Sequence, residues 1–214
     1  MLNLTPAILI SRIITLLIAF TVHEFAHAWT AFKFGDDTAA RAGRLTLNPI
    51  AHLDIVGSLM LLVAGFGWAK PVPVNPYILE RKSPSAMMIV SLAGPISNML
   101  LAILAAIPFR LNLVSYAPST SIFFPSISDF LLDFIFINIA LLLFNLIPIS
   151  PLDGEKVLYS LLPAGGARFM DTIRPYGPII LLALIMLGRL GSVDLLSAIM
   201  RPPLTALFRL LLGV

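Results

Sequence analysis

One short stretch holds residues able to do chemistry together: His23-Glu24-Phe25-Ala26-His27. On a helix, side chains four residues apart project from one face, so His23 and His27 can share a single metal ion. Glu24, about 100° around such a helix from His23, can reach water beside that ion and act as a base. Imidazole nitrogens hold zinc at about 2.0 to 2.1 Å, and zinc brings the pKa of a water from 15.7 to about 7, which makes a nucleophile available at neutral pH. The chain has no cysteine. Disulfides, thiolate zinc sites and cysteine nucleophiles are therefore excluded, and a metal must be held by His, Asp or Glu. A purely structural reading, in which the two imidazoles bond across helices with Glu24 as a partner, has a cost against it. The motif lies near the end of an apolar run, where an unpaired charge costs at least about 2.5 to 3.5 kcal/mol.

A catalytic zinc needs a third protein ligand and an open fourth position. Asp153 is the candidate, closing the run Asn145-Leu146-Ile147-Pro148-Ile149-Ser150-Pro151-Leu152-Asp153-Gly154. Pro148 and Pro151 break helical hydrogen bonding there, and Gly154 permits close backbone approach. On its own, an Asp-Gly after an apolar run reads as a turn; it is the combination with the His pair that makes it a ligand. Asp133 competes but lies near the opposite end of the same span, roughly 30 Å away at 1.5 Å per residue. His52 follows Asn48-Pro49 in a loop and has no helical partner, so an interfacial or supporting role fits it better than ligation. Arg12, within the first apolar segment, faces a polar interior or reaches out to the interface.

These residues must be positioned by elements that live in lipid. Of the 214 residues 58% are hydrophobic and only 12% charged, with a mean hydropathy of +0.97, which is outside the range of soluble domains. The expected fold is an all-α membrane protein, a polytopic bundle of about four to six spans near 4–28, 86–109, 130–152 and 176–190, with a further span or interfacial helix at 193–212. The first segment reads as a retained span rather than a cleaved signal, since it lacks a basic start and a small-residue cleavage site. Between the first two spans, the glycine-containing run 55–68 is bounded by prolines and reads as a re-entrant element. Its flanks, 44–47 and 69–75, read as extended backbone. No repeat divides the chain, and one membrane domain over 1–214 is expected.

The 14 Lys and Arg, with a net charge of +3, are scattered singly, which fits anchoring at an anionic membrane surface and gives no nucleic-acid footprint. Lys33, Arg41, Arg44, Lys70, Arg81 and Lys82 lie between spans one and two, against Arg110 alone between spans two and three. The positive-inside rule then puts the first loop in the cytoplasm, and Lys156, Arg168 and Arg174 put the end of span three on the same side. The expected location is the cell membrane, multi-pass, with the active site toward the cytoplasm.

With HEFAH in the first span and NLIPISPLDG in a later one, the chain resembles the site-2 protease family of intramembrane zinc metalloproteases. The resemblance extends to GRLTLNPIAHLD (43–54), KPVPVN (70–75) and AGPISN (93–98), and so covers most of the first 155 residues; the last 50 are not diagnostic. It implies one Zn2+ per chain on His23, His27 and Asp153, Glu24 activating water, and a transmembrane segment of another protein, unwound, as substrate. It also implies that Asn145 holds substrate backbone or the developing oxyanion, and that Asn98 steadies the site; an interhelical hydrogen bond and small-residue helix packing are the plainer roles for these two. The chain resembles the minimal, core-only type without a PDZ or CBS domain, which implies that substrate access depends on the membrane segments, on a homo-oligomer or on adaptor proteins. Two other functions stay in view: a metal-ion transporter, which would favour repeated ligand sets and has no need of Glu24, and an inactive relative that binds membrane proteins without cutting them.

Overall fold

The structure, a computed structural model, describes residues 5–54, 57, 69–119, 121–189, 191 and 194–213. The first helix, α1, spans Pro6–Lys33; Thr5 caps it, its hydroxyl accepting the Ile8 N–H at 3.3 Å, and Pro6 sits in the first turn where a missing N–H costs nothing. It runs beyond the expected end at Ala28 because nothing breaks it before Gly35, whose φ of +90° is open to glycine at little cost. Short helices α2 (Thr38–Arg41), α3 (Pro49–His52) and α4 (Pro76–Lys82) follow, then α5 (Ala86–Arg110) and α6 (Ile127–Asn145). The run 55–68 expected as re-entrant lies, apart from Gly57, outside the described residues.

The expected third span, 130–152, is helical only to Asn145. Residues 146–152 form turns, and a separate helix, α7, opens at Asp153 and runs to Leu161. The two prolines, which cannot donate to the helical ladder, account for the break. Helix α8 (Ala164–Ile173), a 3-10 turn (Arg174–Tyr176) carrying Pro175, and α9 (Gly177–Arg189) run on from one another, and α10 (Leu195–Leu212) ends the chain with Asp194 accepting the Ser197 N–H at 2.9 Å. Five helices among the described residues are long and apolar enough to cross a membrane: Pro6–Lys33, Ala86–Arg110, Ile127–Asn145, Gly165–Gly188 and Leu195–Leu212. The chain is an all-α, multi-pass membrane bundle; the described residues form no strand beyond one antiparallel bridge between Leu53 and Ala69.

The centre of the bundle is α1, α5 and α6. Ala7, Ser11, Thr15 and Ala19 recur every fourth residue on the buried face of α1, small side chains that let helix backbones approach closely. Ala102, Ala105 and Ala106 of α5 pack with Phe134, Ile135 and Ile139 of α6, and α10 lays Leu204, Leu207, Phe208 and Leu211 against that cluster.

Candidate metal centre

Near its C-terminal end α1 presents His23, Glu24 and His27, all buried, on the face toward α5. The two rings stand almost perpendicular, centroids 4.6 Å apart at 85°. Asp153, also buried, is the first residue of α7, where the positive end of the helix dipole favours its carboxylate. His23 Nε2 is 3.1 Å from Asp153 Oδ2, His27 Nε2 is 3.2 Å from the same oxygen, and the two Nε2 atoms are 3.0 Å apart.

This near-equilateral triangle fits zinc. Ligand atoms of a tetrahedral zinc with bonds of about 2.0 to 2.1 Å stand about 3.3 Å apart. Proton accounting gives the same answer. His23 Nδ1 lies 2.7 Å from Asn98 Oδ1 and His27 Nδ1 lies 2.7 Å from the Val90 carbonyl oxygen. Both partners only accept, so both neutral rings carry the proton on Nδ1 and turn a lone pair inward from Nε2. Two lone pairs and a carboxylate oxygen then face one another, a repulsive set that a cation among them makes favourable. The space is also kept clear: a Cβ at Gly94 of α5 would fall 2.6 Å from His23 Nε2 and closer still to His27 Nε2, filling the place a metal would take. Gly154 has a different job, since a Cβ there would run into the Leu146 carbonyl and prevent α7 from folding back onto the turn.

Among the described residues Glu24 has no hydrogen bond to either histidine. Its Oε2 accepts the Val72 N–H at 3.0 Å. Val72 lies in an extended segment, 70–75, fastened at both ends: the Arg44 guanidinium donates to the Lys70 carbonyl, and buried Asp36 accepts the Asn75 N–H at 2.6 Å. Lys70 N–H donates to the His52 carbonyl at 2.9 Å, and His52 Nε2 donates to the Thr46 carbonyl at 2.8 Å. The stretches 43–54 and 70–75 thus form one cap over Glu24. His52 serves that cap and is not brought to the triangle.

A cavity of about 250 Å³ adjoins the triangle, lined by Glu24, Val72, Asn145 and Lys156 as well as the three ligand candidates. Asn145 therefore reaches the cavity, with Nδ2 donating at 3.0 Å to the Leu141 carbonyl one turn back; its second N–H is left to face the cavity or the turn. Asn98 is fully buried behind His23. Asp133 is not in the cavity wall, as its depth implies, and Arg12 is exposed on the outer face of α1. Two residues escape a sequence reading. Lys156 Nζ stands 3.8 Å from Asp153 Oδ1, three residues along α7, a helix that an apolar run broken by prolines does not announce. Asn138 lies behind Asn98, and its only sequence signal is that it is polar within an apolar run.

Among similar proteins is YwhC of Bacillus subtilis, provisionally named a zinc metalloprotease, 43% identical over 206 residues that cover 89% of this chain and 92% of the relative. MJ0611 of Methanocaldococcus jannaschii carries the same provisional name and is 30% identical, with 73% of each chain covered. Rip2 of Mycolicibacterium smegmatis, named likewise, is 32% identical over 79% of this chain and 64% of its own length. No family model and no solved structure matches the chain.

Proposed function

The chain belongs to the zinc metalloprotease family in which YwhC and MJ0611 are found, and from that premise we propose that it is an intramembrane endopeptidase of the site-2 protease type. Its cofactor is zinc, one ion per chain. Its substrates are transmembrane or membrane-adjacent segments of other proteins, cut in regulated intramembrane proteolysis. The observation that carries this reading is the buried Glu24 carboxylate beside the His23, His27 and Asp153 triangle, on the wall of a cavity large enough for a peptide backbone.

When held by those three side chains, zinc would supply Lewis acidity and lower the pKa of water in the site. Glu24 is placed to take a proton from water in the cavity and hand it to the leaving amine. With Oε2 held by the Val72 N–H, Oε1 is the oxygen that moves the proton, and the cap keeps the carboxylate from turning away. Asn145, in the wall of the same cavity, offers an amide N–H to substrate backbone or to the developing oxyanion. A helical peptide bond is shielded and hydrogen-bonded, so the substrate must unwind locally. The extended segment 70–75, tied down by Arg44 and Asp36, is the natural partner for the released strand.

The basic loop between the first two spans supports a site facing the cytoplasm. Adaptor proteins or a second copy of the chain are the candidates for controlling substrate entry. A transporter has less support: its pathway would call for repeated ligand sets, the described residues hold a single three-ligand group, and Glu24 would have no task.

The test compares wild type with Glu24→Gln, purified in detergent, for bound zinc and for cleavage of single-span membrane proteins read by mass spectrometry. Zinc in both with cleavage by wild type alone is the expected result. Equal cleavage by both would overturn the role of Glu24, and zinc without cleavage of any substrate would favour transport or an inactive relative.

A further inference from the structure

The two candidate histidine ligands have their protons placed by different devices. His27 donates directly to a backbone carbonyl, Val90, a group that can only accept and cannot turn over. His23 donates to Asn98, whose side-chain amide could present either its oxygen or its nitrogen. If the nitrogen faced the ring, Nδ1 would have to accept, the proton would move to Nε2, and the lone pair needed for a metal would be gone. Something must therefore hold the Asn98 amide one way round.

Asn138 is that something. It is fully buried in α6, with apolar neighbours on both sides from Phe134 to Phe144. Its Nδ2 donates to the Phe134 carbonyl at 2.9 Å, which fixes its own amide, because a backbone carbonyl only accepts. Its Oδ1 then faces Asn98 and accepts from Asn98 Nδ2 at 2.9 Å. Asn98 Nδ2 also points at the Ala19 carbonyl, at a longer 3.4 Å. Asn98 Oδ1 is left to meet His23. The chain of bonds runs without ambiguity from a fixed carbonyl on α6, through an amide on α6 and an amide on α5, to an imidazole on α1.

We propose that Asn138 is a positioning residue for the metal centre: by holding the Asn98 amide in one orientation it selects the His23 tautomer that can bind zinc. This rests on the zinc reading of the site and is independent of what the protein cleaves. Partners behind a ligating histidine typically change metal affinity by about 10- to 100-fold, and the effect of Asn138, one amide further out, falls in the same range.

Zinc affinity, measured by chelator competition on the purified full chain in detergent, tests this without any substrate. Asn138→Leu removes the acceptor at similar volume and is expected to weaken zinc about 10- to 100-fold. The deciding measurement repeats that change in an Asn98→Asp background. A carboxylate presents oxygen to His23 whichever way it turns, so there Asn138→Leu should weaken zinc by less than about threefold. Unchanged affinity in Asn138→Leu, or an equal loss in both backgrounds, would overturn the proposal, the second outcome marking simple packing damage. Should Asn138→Leu fail to fold, Asn138→Ala and Asn138→Asp replace it: Asp keeps an oxygen opposite Asn98 and should bind zinc more tightly than Ala, and equal loss in the two would be fatal. Failure of wild type itself to bind zinc would instead remove the zinc reading.

Discussion

The first three spans and the last two use the membrane differently. In the spans Pro6–Lys33, Ala86–Arg110 and Ile127–Asn145, between 33% and 39% of the residues of the apolar window are buried within the protein; in Gly165–Gly188 and Leu195–Leu212 the shares are 6% and 0%. Buried polar side chains follow the same division. Ser11, Thr15, His23, Glu24 and His27 on α1, Ser91, Ser97 and Asn98 on α5, and Ser128 and Asn138 on α6 are all enclosed, whereas α10 buries no residue at all. In lipid an apolar surface gains little by meeting another apolar surface, so helices are held by close packing of small residues and by interhelical polar contacts. The N-terminal half has both. The last helix attaches through a seam, Leu204, Leu207, Phe208 and Leu211 against α5 and α6 with Arg110 donating to the Leu210 and Leu211 carbonyls, and the span Gly165–Gly188 through Arg174 donating to Glu155 and Gly177 lying close to the Ser150 carbonyl. Chemistry therefore belongs to the half that can enclose charge, and the last two spans complete the bundle around it.

The sharpest way to break this comparison is at the metal. Apparent zinc binding of roughly 10–16 kcal/mol shared over four positions is about 3 kcal/mol per ligand, so Asp153→Ala should cost more than about a hundredfold in zinc affinity. Gly94→Ala should do as much through sterics, since its methyl takes the ion's place; chelator competition measures both. Tight zinc binding by either variant would mean the triangle is not the metal centre. A smaller effect, of a different kind, is expected from Phe208→Ala. It removes a part-buried ring that stacks edge-on with Phe136 at 6.2 Å, and about 1 to 2 kcal/mol of stability should be lost, below the range for fully buried aromatics. Thermal unfolding should register this while zinc affinity stays the same; a tenfold loss of zinc would tie the two halves together. The smallest effect is at the exposed pair Asp37 and Arg41, where the arginine holds the Asp37 carboxyl below its ordinary range. Exposed pairs of this kind contribute little, so Arg41→Ala should change neither unfolding temperature nor zinc affinity.

The members of the candidate metal group, which the structure brings together, were legible because their signals are local or one-dimensional. Four-residue spacing puts His23 and His27 on one helical face, and hydropathy assigns each carboxylate a depth, so Asp153 can be chosen over Asp133 before any fold is known. The same hydropathy reports the spans, overran where prolines end the helix, at 146–152, because an apolar run does not reveal its hydrogen bonding, and started the fourth at 176 where the span begins at Gly165, whose first turns are more polar. Less legible were the parts whose sequence signal is weak. KPVPVN reads as extended backbone, but nothing in it says that the Val72 N–H will meet Glu24. Asn138 reads as a polar oddity in an apolar helix.

Sequence by itself determined the residue types, their order and their burial depth: a membrane bundle with two imidazoles and two carboxylates at one level. The tertiary structure decided which nitrogen of each candidate ligand histidine carries its proton. Whether an imidazole nitrogen carries a proton or a lone pair depends on what it faces, and His23 faces Asn98, 75 residues away along the chain, which is in turn held by Asn138 on a third helix. Hydrogen-bond direction is a property of groups in contact, and for this site the contacts exist only once α1, α5 and α6 are packed.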